Sequence, residues 1–168
     1  SSAASDVYKR QEYELFPYRG IGELFFGMTR EEIQRLLGKP ISSNKYGFPI
    51  QDRILDDYGF FYTLFNNQMT LEAVEFFPEY TEEKIVWIYG DVSIQLTADK
   101  ETTLEALKKV TDDIVKDEDE SEGYYSQKLG VKLFYPDDED DVVTLIVHDL
   151  HCYDEEEQYL KDLENGVE

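Results

Sequence analysis

One run of signals is written twice along this chain, and that recurrence constrains the fold more than any single residue does. In the first copy a helix signal from Thr29 to Leu37 ends at Gly38, then Tyr58-Gly59 precedes apolar runs at residues 60–65 and 71–77. In the second, Thr102 to Val110 leads to Leu129-Gly130 and apolar runs at residues 131–135 and 142–147. Helix, glycine, strand, turn and strand recur in one order. A lone helix-plus-hairpin unit cannot bury its apolar face, so two of them are expected to share a sheet. The expected fold is α+β: two related helix-plus-β-hairpin repeats forming one antiparallel sheet with helices on one face.

A length of 168 residues suits one core. The division read from the pattern is a single α+β domain over residues 12–168, with repeat one at about 22–80, repeat two at about 84–150 and an acidic C-terminal segment at 151–168. Residues 1–11 match nothing periodic that follows. They resemble a translated sequencing adapter and are set aside as a non-native scar.

The local signals are well punctuated. Thr29 and Glu32 have capping-box spacing, Ile33, Leu36 and Leu37 fall on one helical face, and Gly38 and Pro40 stop the helix. Thr102 and Glu105 repeat that spacing, with Leu104, Leu107, Thr111 and Ile114 as the buried stripe. Asn66-Asn67-Gln68 and Gly90-Asp91 each sit between two apolar runs and predict hairpins. Residues 41–53 read as a loop, residues 117–122 as an acidic loop closing the second helix, and residues 153–163 as a terminal helix or tail.

Gly27-Met28-Thr29, Glu32-Ile33, Leu37-Gly38 and Pro40 together resemble the helix motif of the SmpA-type domain, found in the lipoprotein of the outer-membrane barrel-assembly machine. Tandem copies of a similar helix-plus-hairpin unit build the β-lactamase inhibitor protein fold. The resemblance implies the α+β repeat fold and a binding or assembly role. Acidic bacterial proteins of similar size also include immunity proteins of toxin systems.

Charge narrows the partner. The chain carries 38 acidic and 16 basic residues, net −22. The second half holds most of the excess: 24 acids against 7 bases over residues 85–168, and 14 against 9 before them. Such a field repels nucleic acid and anionic membranes and attracts a basic protein. No apolar run approaches the length of a membrane helix. One cysteine, Cys152, excludes an internal disulfide and suits a reducing cytoplasm.

Chemical motifs are sparse. His148, His151 and Cys152 lie within five residues, a donor set that zinc accepts, but three residues along a strand put the two imidazoles on opposite faces. The acidic runs at 117–120 and 137–141 lack the spacing and central glycine of an EF-hand. Neither a Walker loop nor a nucleophile elbow nor a dinucleotide fingerprint is present. No cofactor, metal or catalytic residue is therefore assigned. The expectation is a cytoplasmic, non-enzymatic acidic binding protein, an immunity or inhibitor protein that neutralises a basic toxin such as a nuclease. The alternative is a cell-envelope assembly module like the SmpA-type lipoprotein. The partner-binding residues expected are Tyr124, Tyr125, Asp137, Asp138, Glu139, Asp140 and Asp141, where tyrosine anchors adjoin the densest charge.

Overall fold

Strand alternation and tight turns dominate the structure, a computed structural model that describes residues 12–47 and 52–166; the adapter-like residues 1–11 lie outside them. The strands are β1 Glu12–Phe16, β2 Gly20–Ile21, β3 Leu24–Phe25, β4 Ser42–Tyr46, β5 Arg53–Asp57, β6 Phe61–Phe65, β7 Leu71–Phe76, β8 Ile85–Tyr89, β9 Val92–Leu96, β10 Val115–Lys116, β11 Gly123–Ser126, β12 Val131–Phe134 and β13 Thr144–His148. The helices are α1 Arg30–Leu37, α2 Lys100–Leu107 and α3 Asp154–Glu164, with one 3-10 turn at Pro78–Tyr80. The class is α+β.

One feature of the expected architecture is corrected: there are two sheets. A large sheet runs β10-β11-β12-β13-β7-β6-β5-β4, all antiparallel, and a small one runs β3-β2-β1-β8-β9. Within the small sheet β1 pairs β8 in parallel, Tyr13 opposite Trp87. The reason lies in coverage. Eight strands spaced about 4.8 Å make a sheet roughly 35 Å wide. Two helices about 10 Å across cannot cover it. The small sheet supplies the rest of the second layer. Tyr13 packs on Phe76 at 5.3 Å, and Phe76 on Trp87 at 5.7 Å, carrying aromatic contact from one sheet to the other. Ile33 and Leu37 of α1 and Leu104 and Leu107 of α2 join the same core. Leu36 and Ile114 pack against it half-buried.

The Gly27-Met28-Thr29 motif has a defined job. The Gly27 amide donates to the Leu71 carbonyl, the Leu71 amide to Met28 and the Arg30 amide to Met69. This pairing fixes the start of α1 against the β6–β7 turn. The capping box forms as expected, with the Glu32 amide donating to Thr29 Oγ1 at 3.1 Å and the Thr29 amide to Glu32 Oε1 at 3.3 Å. At the other end Gly38 adopts φ 83°, where a side chain would be strained. Polar bonds hold the same helix from its other side. Arg30 grips buried Asp56 through Nε at 2.9 Å and Nη2 at 2.8 Å, while Gln34 and Ser43 also donate to that carboxylate.

Three local expectations change. Residues 42–46 form edge strand β4 where a loop was expected, because an exposed polar edge carries no apolar alternation. Helix α2 starts three residues early, capped by Asp99, whose carboxylate accepts the Thr102 amide at 3.0 Å. It also ends at Leu107, so Thr111 and Ile114 fall outside it and residues 117–122 join β10 to β11.

Candidate partner-binding surface

Register assigns each strand residue to a face of the large sheet. Phe65, Val74, Phe76, Leu133, Leu145 and Val147 point inward to the core. On the opposite, outer face a row runs across the sheet through directly paired positions: Asp57, Tyr62, Glu75, Ile146, Lys132, Tyr125 and Val115. Tyr62 and Phe77 meet at 4.3 Å between ring centroids, and Phe77 stacks on Tyr80 at 5.1 Å. Tyr80 is 51% exposed, so this aromatic stack runs from the sheet into solvent.

The residues expected to bind a partner are only partly brought together. Tyr124 and Tyr125 are successive strand residues and point to opposite faces. Tyr125 lies on the outer row, whereas Tyr124 packs toward the core under the Lys100 ammonium, 5.9 Å from its ring centroid. Of the two, Tyr125 is the one on the outer row, and Tyr124 is half-buried against the core. Asp137, Asp138, Glu139, Asp140 and Asp141 are all exposed in the β12–β13 loop. Asp138 organises that tip by accepting the Asp140 amide at 2.9 Å. Tyr135 is buried, and its phenol donates to the Thr97 carbonyl at 2.8 Å.

Topology adds residues that the sequence did not single out. Three loops leave the same end of the large sheet: residues 77–84 after β7, 117–122 before β11 and 135–143 between β12 and β13. The first supplies Glu79, Glu82 and Glu83, the second Asp117, Glu118, Asp119, Glu120 and Glu122, and the third the five predicted acids. Lys84 is the only base among them. Two of the acids tie the loops together. Glu122 Oε1 accepts the Asp137 amide at 3.0 Å, and Glu79 Oε1 accepts the Val143 amide at 3.3 Å. The result is an acidic rim that borders the aromatic outer face. Nothing local in the sequence reports this, since residues 79 and 143 meet only through the β7–β13 pair.

The outer face is perturbed electrostatically. Glu75 is half-buried, and burial pushes its carboxyl up to about 7. The Tyr62 phenol is raised by burial and by the charges of Asp57, Tyr80 and Glu75. Further from the rim, the turn before α3 packs onto this face through Cys152 and Tyr153. Arg53 secures it, donating to the Cys152 carbonyl at 3.3 Å and to Glu155 at 3.2 Å while lying 3.5 Å from buried Glu72. Tyr46 donates to Glu72 as well.

The His/Cys cluster disperses. His148 Nδ1 lies 2.8 Å from the Asp149 carbonyl, and burial lowers its imidazole's affinity for a proton. His151 Nδ1 faces Asp154 Oδ2 at 2.8 Å in solvent. Cys152 is buried and its thiol is pushed well up by that burial, which opposes the thiolate that metal binding or nucleophilic attack needs. Among the described residues no three His, Cys, Asp or Glu side chains are grouped to hold a metal, and no helix is long and apolar enough to cross a membrane. A cleft of ≈ 410 Å³ at the end of α2 is lined by Lys108, Lys109 and Lys128, with Lys128 paired to Asp112. Comparison with protein-family models, curated proteins and solved structures finds no match.

Proposed function

We propose that this chain is a non-enzymatic acidic binding protein, an immunity or inhibitor protein that neutralises a basic toxin such as a nuclease. The observation that carries this reading is the convergence of three acidic loops at one end of the large sheet, beside half-exposed Tyr62, Tyr80 and Tyr125. The two halves of that surface do different work. Clustered carboxylates raise the encounter rate with a basic partner, and aromatic rings supply the buried contact that holds it. Carboxylates spaced along a rim also imitate a phosphate backbone, the ligand that a nuclease groove is built to accept.

The test is kinetic. The partner to use is the basic product of a toxin gene beside the gene for this chain. The variant is Asp137→Asn, Asp138→Asn, Asp140→Asn and Asp141→Asn together, all on an exposed loop. Association should slow by about tenfold or more at low ionic strength, with the difference shrinking as salt rises. Equal rates for variant and wild type at low salt would exclude the rim, as would a complex whose contacts all come from residues 28–38.

A further inference from the structure

Four strands form the ends of the two sheets, and one of them is open along its whole length. β3 and β10 have two residues each. β9 has five, but helix α2 packs against it. β4, also five residues long, pairs with β5 at every position from Ser42 to Tyr46 without a bulge, and its other flank has no neighbouring strand among the described residues. Ser42, Ser43, Asn44 and Lys45 are all exposed. The main-chain N–H and C=O groups along that flank can extend the ladder by a further strand. Sheet edges are ordinarily blunted by proline, charge, a bulge or a covering element. Within β4 only Lys45 serves that purpose.

Two further observations mark this edge as a contact surface. Ile41, the residue just before it, is 70% exposed, more than any other large apolar side chain of the described residues. Charge is the second. Residues 33–51 form the longest stretch of the chain without an aspartate or glutamate, and they carry Arg35, Lys39 and Lys45. A basic partner gains nothing from an edge whose only charge is a lysine. A chain of net −22, by contrast, meets a copy of itself with least repulsion where it has no carboxylates. Strand order acts in the same sense. β13 lies four strands from β4, about 19 Å at 4.8 Å per strand. Two copies joined at β4 hold their β13 strands roughly 43 Å apart, several screening lengths of about 8 Å.

We infer that β4 is a self-association edge, pairing antiparallel with β4 of a second copy and joining the two large sheets edge to edge. A two-fold axis through the middle of the strand makes the contact isologous. Asn44 then faces Asn44 of the second copy, Ser43 faces Lys45, and Ser42 faces Tyr46. Ile41 of each copy closes one end of the ladder. One short ladder and the two Ile41 side chains make a small interface, which belongs among weak, concentration-dependent contacts. This edge is separate from the acidic rim, and the inference does not rest on the binding reading. Salt acts on the two in opposite senses. Screening weakens the attraction of the rim for a basic protein, and it strengthens contact between two copies that each carry −22.

The experiment is sedimentation equilibrium of the whole chain from about 10 to about 500 µM, at low and at physiological salt. Wild type should rise with concentration from the 19.7 kDa monomer toward twice that mass, and more readily at the higher salt. The variants are Asn44→Glu and Asn44→Lys, made at an exposed side chain, and each sets like charges opposite one another across the axis. Either variant alone should dimerise about fivefold more weakly than wild type. An equimolar mixture of the two should regain association, because glutamate then faces lysine. Hydrogen exchange on wild type needs no substitution and decides the matter if a variant misfolds. Amides of residues 42–46 should gain protection as concentration rises, and those of residues 137–141 should not. Wild type that stays at the monomer mass throughout that range at both salts overturns the inference. So does a dimer that neither Asn44 variant weakens, or concentration-dependent protection confined to other strands. Each of these results leaves binding at the rim standing.

Discussion

Asp56→Ala should be among the most damaging single substitutions in this chain. Asp56 is 0% exposed and accepts from Arg30 at 2.8 and 2.9 Å, from Gln34 at 3.0 Å and from Ser43 at 2.6 Å. Arg30 and Gln34 are one turn apart on α1, so this carboxylate holds the polar side of the helix while Ile33 and Leu37 bury the other. Truncation strands three donors at once. Breaking a buried pair costs about 3–5 kcal/mol. Arg30 is 32% exposed and can turn to water, so the lower end, about 3 kcal/mol, is expected. Against a total stability of about 5–15 kcal/mol that is a large share. Urea unfolding followed by the fluorescence of Trp87, the only tryptophan, measures it. Burial acts to raise the Asp56 carboxyl, but hydrogen bonds from Arg30, Ser43 and Gln34 outweigh it and the net shift is downward. A depressed carboxylate contributes stability above its unfolded pKa and loses it as pH falls through the folded one. The gap between wild type and Asp56→Ala should therefore be full at pH 7 and narrow in acid. A cost below about 1 kcal/mol at pH 7 would refute the claim that this network docks α1.

Other outcomes follow from the same physics. Glu75 is raised from 4.5 to about 7, so it adds stability at low pH and loses it as pH rises through that window; Glu75→Gln should match wild type near pH 4 and exceed it by about 2–3 kcal/mol at pH 8, read by denaturant unfolding. Asp99→Ala should lower the thermal midpoint through loss of the α2 cap, and Thr102→Ala markedly less, since Thr102 is capped and does not cap. Gly20→Ala should cost about 1–3 kcal/mol, because its Cβ would stand 2.3 Å from the Leu24 carbonyl oxygen, a backbone atom fixed by the β2–β3 pair.

Where cause and effect are close in sequence, the chain was legible. Thr29, Glu32 and Gly38 mark both ends of α1, and Gly90-Asp91 sits at the β8–β9 turn, because caps and turns are decided by neighbours within four residues. Thr102 misled for the same reason. Asp99 and Thr102 both stand three residues before a possible partner, and only geometry shows that the Asp99 carboxylate takes the Thr102 amide. Strand β4 was illegible because Ser42, Ser43, Asn44 and Lys45 are all exposed and leave no alternation to read. At the candidate surface, the exposed tip at residues 137–141 was evident from charge alone. Separating Tyr124 from Tyr125, and joining Glu79 to Val143, needed strand register and long-range pairing that composition does not encode.

The parallel pair between β1 and β8 also dictates an order of events. Glu12 lies beside Val86 and Glu14 beside Ile88, so more than seventy residues must be made before β1 has its neighbour. A chain emerging from the ribosome carries Tyr13 and Leu15 unsheltered through that interval, able only to fold back on β2 at Leu15 and Phe16. Closing so long a loop is among the slower steps open to a domain of this size. Until it closes, β8 presents a bare flank of Ile85, Trp87 and Ile88, a template for any stray extended segment. The first strand is therefore a late arrival in assembly and a guard for the strand it joins.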